Sequence, residues 1–483
     1  MKTKQAFNPY LPSWEYVPDG EPHIVDGRVY VYGSHDLFNG LNFCLGDYVC
    51  WSAPVDDLGN WRYEGCIYKR EQDAAAPRIR LTHELAAPDM VQGPDGKFYL
   101  YYFFLGGTKT ISVARCDSPA GKYEFYGYVK YKDGTPVGKK GEPIQFDPGI
   151  FMDDDGRLYL YTGFALAGNP ILLGGSKPTE HGPMCFELDP SDMLTVQAGP
   201  VYIGVAGEKE PAGAYEGHTF LEASSMRKFG DTYYFIYSSM RSHELCYAVS
   251  DRPTGGFQFG GTLVSVGDIG LPGITDVKHA RNCTGNTHGS VIEINGKYYV
   301  FYHRHSNRKQ SSRQAMAEEI RFEDGRFYQA EVTSCGLNGA PLSGKGRYPA
   351  YIACSLYGRR GTRFLSMIKH AKKGYPYLTQ DGPDREGGPD QYIANMSEGA
   401  VAGFKYFDLS GTSKIRINIK GNAFGIVSVS TQENGRPVAR IKIKPSRKMH
   451  GFKADLKAQG EKQALFFKFE GKGSFCFYSF DLK

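Results

Sequence analysis

Three acidic residues occupy equivalent places along the chain, each just ahead of a tight turn and an aromatic stretch. They are Asp19 in Pro18-Asp19-Gly20-Glu21-Pro22-His23, Asp147 in Phe146-Asp147-Pro148-Gly149, and Glu222 in Phe220-Leu221-Glu222-Ala223-Ser224. Hydrolysis of a glycosidic bond needs two carboxyl groups of different pKa, one to protonate the leaving oxygen and one to activate water or attack the sugar. An Asp beside Pro or Gly is also a common turn former, whereas a glutamate in an apolar setting is costly without a role. We therefore predict that the three acids meet in one active site.

An internal repeat indicates which elements position these acids. Five copies of a turn followed by an aromatic strand share a glycine at 27, 96, 156, 230 and 296, at spacings of 69, 60, 74 and 66 residues. Asp-Gly and Asn-Gly between apolar runs indicate β-hairpins, because both residues of a type I′ turn need positive φ. A spacing of 60–74 residues fits one four-stranded blade with its loops, so we predict a five-bladed β-propeller whose inner strands bring distant acids together. The stretch 316–322 is expected to close the ring.

The chain changes character after the fifth repeat. Residues 338–346 are rich in Gly, Pro and Ser and predict a linker, and polar and apolar residues alternate beyond it, for example over 414–420 and 438–444. The chain has 57 Lys and Arg residues and 52 Asp and Glu residues. After residue 340 there are 25 basic and 11 acidic residues, so this segment has a net charge of +14 and the first 340 residues have a net charge of −9. No long amphipathic helix is evident. We predict an all-β protein with a propeller over 1–340 and a β-sandwich over 341–483.

Composition excludes several classes of protein. The chain has 483 residues, of which 14% are aromatic, and no apolar run approaches the ~18 residues of a membrane span. An acidic first segment argues against nucleic acid as a partner. The ten cysteines form no C-x-x-C pair, and the first residues have no apolar signal region, so we expect reduced thiols in a cytoplasmic protein. A leader removed from a longer chain would leave a similar start.

Three ordered motifs resemble glycoside hydrolase family 43, the five-bladed arabinofuranosidase and xylosidase family. They are P-D-G-E-P-H-I followed by V-Y-V-Y-G-S-H-D, then F-D-P-G-I-F-x-D-D-D-G-R-L-Y-L-Y, and F-L-E-A-S-S-M-R-K. The resemblance implies that Asp19 is the general base, Glu222 the general acid, and Asp147 the residue that raises the pKa of the acid and orients it. It also implies inversion of configuration, with acid and base roughly 6.5–9.5 Å apart. Gly20 departs from the family pattern, which more often has Pro there, and should alter the loop only.

Five other residues are candidates for the site. His288 matches a family histidine on the propeller axis beneath the active site, often near calcium, although a hydrogen-bonded core histidine fits its pattern as well. His35 and Asp36 end the first aromatic strand and are predicted to line the pocket mouth. Asp89 matches a family position and is predicted to bind substrate or to support the site. Arg304 could hold a sugar hydroxyl or form an ion pair between blades.

The second segment loosely resembles the family 6 carbohydrate-binding modules. Its polar loop at 380–386, with Gln391 and Tyr392, could bind sugar or calcium. We favour packing of this domain against the propeller, where it would shape the rim of the pocket.

These observations predict an inverting exo-glycosidase that removes terminal α-L-arabinofuranosyl units from arabinose- and xylose-containing oligosaccharides. A β-D-xylosyl unit is the second choice and a β-D-galactofuranosyl unit the third. No cofactor is required, a structural Ca²⁺ is possible, and the oligomeric state is left open. A non-catalytic carbohydrate-binding propeller is the alternative from another class. A WD or kelch propeller is disfavoured because the chain lacks the W-D dipeptide, and a sialidase because it lacks S-x-D-x-G-x-x-W turns.

Overall fold

A computed structural model of the chain describes residues 6–74, 84–105, 110–166, 176–372, 374–384 and 387–483. Nearly all regular structure in these ranges is β-strand. The helices within them are four short 3₁₀ helices, at Arg70–Gln72, Gly213–Tyr215, Gly336–Asn338 and Ala350–Ile352. None of the helices in these ranges has the length and apolar character needed to cross a membrane. The predicted all-β class is confirmed.

Five antiparallel sheets form the blades of a propeller. In the described residues the first four sheets have four strands each, in sequence order, and the fifth has three. Blade I consists of β1 (Glu21–Val25), β2 (Arg28–Tyr32), β3 (Tyr48–Pro54) and β4 (Arg62–Tyr68). Blade II consists of β5 (Glu84–Gln92), β6 (Phe98–Leu105), β7 (Ser112–Cys116) and β8 (Glu124–Tyr128). Blade III consists of β9 (Gly149–Met152), β10 (Leu158–Thr162), β11 (Met184–Leu188) and β12 (Val196–Tyr202). Blade IV consists of β13 (Phe220–Phe229), β14 (Thr232–Ser239), β15 (Glu244–Ser250) and β16 (Gln258–Ser265). Blade V consists of β17 (Ser290–Ile294), β18 (Lys297–His305) and β19 (Arg313–Ile320), and a small hairpin of β20 (Phe322–Glu323) and β21 (Arg326–Phe327) follows it.

Each repeat glycine lies in the turn between the first two strands of its blade. All five have positive φ, between 60° and 82°. Only the Asp26-Gly27 and Asn295-Gly296 turns have positive φ at both residues, so only these two have the type I′ geometry expected from the sequence. In the other three turns the glycine alone takes the left-handed conformation.

The aromatic strands are apolar on both faces because each blade packs against two neighbours. In β6, Tyr99 and Tyr101 belong to the core between blades II and III, and Leu100 and Tyr102 to the core between blades I and II. Successive side chains of a strand point to opposite faces, so an unbroken apolar run fills two interblade cores. This explains the high aromatic content without any reference to ligands.

The ring closes between blades V and I, and it differs there from the sequence prediction. Most of the stretch 316–322 belongs to β19, inside blade V, and does not link the two blades. The closing element is the N-terminal segment: Asn8 donates from Nδ2 to the backbone oxygen of Ala317 at 2.8 Å and accepts from its backbone nitrogen at 3.0 Å. Tyr10 and Leu11 pack into the core shared by the two blades.

Residues from 342 onward form two packed β-sheets, the predicted sandwich. One sheet contains β22 (Leu342–Ser343), β24 (Ser355–Tyr357), β27 (Val401–Asp408), β29 (Phe424–Ser430), β30 (Ala439–Ile443) and β32 (Gln463–Lys472). The other contains β23 (Gly346–Pro349), β25 (Tyr377–Thr379), β26 (Tyr392–Ser397), β28 (Lys414–Gly421), β31 (Ser446–Asp455) and β33 (Ser474–Leu482). The predicted linker at 338–346 is therefore partly wrong, because β22 pairs with β27 and Gly346 with Leu482. The division at residue 340 stays a prediction.

The sandwich contacts the propeller through the polar loop noted in the sequence. Tyr16 donates from its hydroxyl to Gln380 Oε1 at 2.6 Å, and the backbone nitrogen of Phe38 donates to Asp384 at 2.7 Å. Gln391 accepts a hydrogen bond from the Gln314 side chain at 3.0 Å. Residues 385 and 386 of this loop lie outside the described residues. The contacts support packing of the loop against blades I and V.

Candidate active site

The N-terminal ends of the inner strands surround one pocket on the propeller axis. Its volume is about 230 Å³, and Asp19, Asp147 and Glu222 all line it. The structure thus brings together three acids that are separated by up to 203 positions in the sequence. Three phenylalanines contribute to the walls, Phe43, Phe146 and Phe164. These rings give the pocket apolar surface beside the carboxyl groups, the combination that a sugar ring requires.

Asp19 lies just before β1 in a left-handed conformation, with φ of 58°. This conformation is uncommon for a non-glycine residue and occurs preferentially at functional sites. Ser34 donates from its hydroxyl to Asp19 Oδ2 at 2.7 Å, and Arg313 donates from Nη1 to Oδ1 at 2.8 Å. The backbone nitrogen of Asp19 donates to His303 Nδ1 at 3.4 Å. Each carboxylate oxygen is therefore fixed in place, as required of a general base.

Arg313, the cation that holds Asp19, is a residue that sequence reasoning missed. It is buried and donates from Nε and Nη2 to the two oxygens of Asp36 at 2.8 and 2.9 Å. Burial acts against the charge, but the carboxylates of Asp19 and Asp36 outweigh it and raise the pKa of Arg313 well above its ordinary value. Asp36 is fully buried and orients this arginine; it does not line the pocket mouth as predicted. No motif in the sequence marks Arg313.

Glu222 lies near the start of β13, where the strand departs from regular pairing. The register with β14 shifts on both sides of Glu222, and the next residue, Ala223, has φ of 69°. Bulges of this kind re-aim side chains next to active sites. The Glu222 side chain keeps some exposure to the pocket, and burial, reinforced by the negative charge of Asp147, raises its pKa to about 8. It therefore carries a proton at neutral pH, as a general acid must.

Asp147 is buried beside Glu222, again with positive φ, 46°. Its Oδ2 accepts a hydrogen bond from the backbone nitrogen of Ala223 at 3.1 Å, which ties it to the bulge that carries Glu222. Burial raises the pKa of Asp147, and the nearby His288 offsets only part of this effect. The contact and the charge fit the role implied by the family resemblance, a residue that orients the acid and raises its pKa.

His288 lines the pocket and lies between two carboxyl groups. Its Nδ1 is 3.5 Å from Asp147 Oδ2, and its Nε2 is 3.7 Å from Glu21 Oε1. Burial disfavours the charged ring, but these acids outweigh it and raise the pKa of His288 well above its ordinary value. Glu21 was quoted in the sequence motif and was not recognised as functional. It accepts hydrogen bonds from Arg227 at 2.6 Å and Ser225 at 3.0 Å.

Asp89 does not line the pocket, contrary to a role in direct substrate contact. It is fully buried in β5, and His23 lies 2.7 Å from its Oδ1. The backbone nitrogens of Met90 and Ile150 donate to its two oxygens at 2.8 and 2.9 Å. Asp89 therefore ties the inner strands of blades I, II and III together below the pocket.

The axial residues do not form a calcium cage. Ca²⁺ takes six to eight oxygen ligands, whereas Glu21 Oε2 is occupied by Arg227 and Ser225, and both oxygens of Asp89 accept protein hydrogen bonds. Within the described ranges, Glu21 Oε1 is the carboxylate oxygen of this group without a hydrogen-bond partner. The guanidinium of Arg227 already supplies positive charge here. These donors therefore do not supply the protein oxygens of a closed calcium cage; ligand atoms of Glu21, His23 and Asp89 lie within 4.8 Å of one another, and a metal ion there would depend on water for its remaining ligands.

Two other predicted residues lie away from the pocket. His35 faces a different cavity, with Nε2 3.1 Å from Glu15 and Nδ1 3.0 Å from the backbone oxygen of Asp47. Arg304 is buried and donates to the backbone oxygens of Ala353 at 3.0 Å and Tyr351 at 2.7 Å. Arg304 therefore neither reaches the sugar site nor forms an ion pair between blades; it joins blade V to the sandwich.

The carboxyl groups of Asp19 and Glu222 have different surroundings. Asp19 is held by a cation and a hydroxyl, and Glu222 keeps its proton because it is buried next to Asp147. When the surroundings of two titratable groups push their pKa values apart, one group is suited to act as the general acid and the other as the general base. The pocket can therefore activate a water on one side of a sugar and protonate a leaving oxygen on the other.

Comparison with known proteins agrees with this chemistry. The family model described as glycosyl hydrolases family 43 matches residues 18–327. A protein named xylosidase/arabinosidase from Thermoclostridium stercorarium is 48% identical over 482 residues, which cover 99% of each chain.

Two solved structures are similar to the chain in fold. One is a family 43 β-xylosidase/α-arabinofuranosidase from a compost microbial metagenome, in complex with xylotriose and described as a calcium-free form. It is 26% identical, covers 66% of this chain and 96% of its own, and has a TM-score of 0.51. The other is an arabinoxylan arabinofuranohydrolase from Bacillus subtilis in complex with cellotetraose, 20% identical, with a TM-score of 0.50 and coverage of 99% and 97%. The second match extends the similarity in fold across propeller and sandwich.

Proposed function

Since the chain belongs to glycosyl hydrolase family 43 and is a glycoside hydrolase, we propose that it is an inverting exo-glycosidase that releases terminal α-L-arabinofuranosyl units from plant-type oligosaccharides. The observation that carries this proposal is the contrast between Asp19, bound by Arg313 and Ser34, and Glu222 in the same pocket, whose pKa is raised by burial and by Asp147.

In the proposed reaction Asp19 accepts a proton from a water molecule. The water oxygen forms a bond to the anomeric carbon while the bond from that carbon to the glycosidic oxygen breaks. Glu222 gives its proton to the departing oxygen, so the products are the free sugar with inverted configuration and the shortened oligosaccharide. Asp147 raises the pKa of Glu222 before the reaction and holds the bulge at Ala223.

The size of the pocket supports exo action. Its volume of about 230 Å³ lies below the roughly 300–1,000 Å³ of clefts that hold drug-sized ligands. Such a pocket favours one terminal sugar unit over an internal stretch of a chain. The preference for arabinofuranosyl remains our first choice, with β-D-xylosyl and β-D-galactofuranosyl as alternatives. The name of the Thermoclostridium stercorarium relative includes both of the first two activities.

The test is hydrolysis of nitrophenyl α-L-arabinofuranoside, β-D-xyloside and β-D-galactofuranoside, with proton NMR to identify the anomer formed first. Glu222→Gln should lose activity by about 10²–10⁴-fold, the range for a general acid. Glu293→Gln is the matched control because this glutamate is exposed toward the far end of β17. Retention of configuration would refute the proposed mechanism. Failure to hydrolyse all three substrates, with binding to arabinan or xylan intact, would favour a non-catalytic carbohydrate-binding propeller.

A further inference from the structure

A histidine, a glutamate and a cysteine of blade IV meet outside the catalytic pocket. Glu244 and Cys246 lie two residues apart in β15, so their side chains point to the same face of the sheet. His218 precedes β13, and its Nδ1 lies 2.8 Å from Glu244 Oε1 and 3.9 Å from Cys246 Sγ. One ligand atom from each residue lies within 4.8 Å of the other two. The three side chains therefore bring nitrogen, oxygen and sulfur to one point.

Neighbouring strands hold the histidine and the glutamate in this arrangement. The hydroxyl of Tyr237 in β14 donates to the backbone oxygen of His218 at 2.7 Å. The ring of Phe259 in β16 stacks on the imidazole, with 4.9 Å between centroids and 23° between planes. The Ser239 hydroxyl donates to Glu244 Oε1 at 2.6 Å. Contacts that orient ligands in this way are typical of protein metal sites.

The mixture of donor atoms selects the metal. Imidazole, carboxylate and thiolate together suit Zn²⁺, whereas Ca²⁺ and Mg²⁺ take oxygen ligands. Zn²⁺ ligands lie roughly 2.0–2.3 Å from the ion, so neighbouring ligand atoms of a tetrahedral site are roughly 3.3–3.8 Å apart. The distances of 2.8 and 3.9 Å from His218 Nδ1 lie within about 0.5 Å of this range. The negative charges of Glu244 and of a Cys246 thiolate would also balance the charge of the ion.

Hydrogen bonding alone leaves the buried thiol with weak contacts. Cys246 Sγ is 3.8 Å from Thr262 Oγ1 and 3.9 Å from His218 Nδ1, and Glu244 is a further partner. A thiol is a weak donor, so a bond to a metal would replace little. The hydrogens on Cys246 Sγ and His218 Nδ1 can both leave these atoms. This distinguishes the cluster from the axial carboxylates, whose oxygens are bound by an arginine and by backbone amides.

We propose that His218, Glu244 and Cys246 bind a zinc ion, with water as the fourth ligand. Binding releases the proton of the Cys246 thiol, and His218 carries its proton on Nε2 while Nδ1 contacts the ion. Water reaches the site because the His218 side chain is 23% exposed. The ion joins β15 to the segment just before Glu222, so it stabilises blade IV and takes no part in turnover. The proposal does not depend on the glycosidase function.

The test replaces zinc with Co²⁺, whose absorption spectrum reports its ligands. Wild-type protein freed of metal and titrated with Co²⁺ should bind one ion per chain, with a charge-transfer band from thiolate to cobalt. Cys246→Ser should lose this band. Its affinity for Zn²⁺ should fall by more than the roughly 10–100-fold that follows the loss of an orienting partner. Zn²⁺ at about 100 times its Kd should raise the melting temperature of the wild type by about 2 °C or more.

Controls separate this site from the other cysteines and from catalysis. Cys50→Ser removes a buried thiol from β3 in blade I and should leave the band unchanged. If Cys246→Ser does not fold, His218→Ala replaces it, and the same loss of affinity for Zn²⁺ is expected. Glu222→Gln should bind the ion as the wild type does, whatever the glycosidase assays show. Failure of the wild type to bind Co²⁺, or a band of equal intensity in Cys246→Ser, would overturn the proposal.

Discussion

His288 Nδ1 lies 3.5 Å from Asp147 Oδ2, so the histidine contacts the acid that we propose modulates the proton donor. The two residues act on Glu222 in opposite directions: Asp147 raises its pKa and His288 lowers it, with burial as the largest effect. The pKa of about 8 is therefore the result of a balance that single substitutions can shift either way.

Removal of the negative charge at Asp147 should shift the alkaline limit of activity downward. Wild-type kcat/KM should fall as the pH rises through about 8, because Glu222 then loses the proton that it must donate. Asp147→Asn lowers the pKa of Glu222, so the fall begins at lower pH. The measurement is the pH profile of kcat/KM on a nitrophenyl glycoside. A reduced rate with an unchanged profile would show that Asp147 acts through position alone.

Removal of the positive charge at His288 should have the opposite effect. His288→Gln keeps a polar side chain but takes away the cation, so the pKa of Glu222 rises and the alkaline limit moves upward. The two variants are measured side by side in one buffer series. Shifts of the same sign in both would contradict the charge balance.

The sequence predicted the propeller, the sandwich and the three central acids because these features follow local rules. Glycines at turn positions and alternating strands are properties of short segments. Arg313 could not be predicted in this way, since it contacts Asp19 across 294 positions and no local pattern marks it. Arg304 was misassigned for a related reason, because its partners belong to a segment whose place on the propeller depends on packing.

Glu222 should lower the stability of the folded protein as the pH rises towards the pKa of its side chain. An unfolded glutamate has a pKa of about 4.3, whereas the folded value is about 8, so the folded state binds the additional proton. The contribution of Glu222 to stability is therefore lost as the pH rises from the unfolded to the folded value. Glu222→Gln should raise the melting temperature at pH 8.5, by on the order of 2–4 °C, and much less at pH 5. An equal change at both pH values would mean that ionisation is not the cause.

Chelation should leave the activity unchanged. Arg227 and Ser225 already occupy Glu21 Oε2, and His288 faces the other oxygen. Assays before and after treatment with EDTA, and after addition of Ca²⁺, should agree within error. Arg227→Gln tests the contribution of the Arg227 cation to stability. The variant leaves Glu21 buried without its positive partner, which should cost roughly 3–5 kcal/mol of stability. Loss of wild-type activity with EDTA, restored by Ca²⁺, would show that a metal ion is required.

Arg304 should affect stability and leave turnover of small substrates unchanged. It is buried, burial lowers its pKa to about 10, and it donates to the backbone oxygens of Ala353 and Tyr351. Arg304→Met leaves these acceptors unsatisfied and should cost roughly 2–4 kcal/mol, seen as a lower melting temperature. Arg321→Met, at an exposed position, is the control and should stay within about 0.5 kcal/mol. A raised KM in Arg304→Met at unchanged melting temperature would instead support the direct contact with a sugar hydroxyl that the sequence suggested.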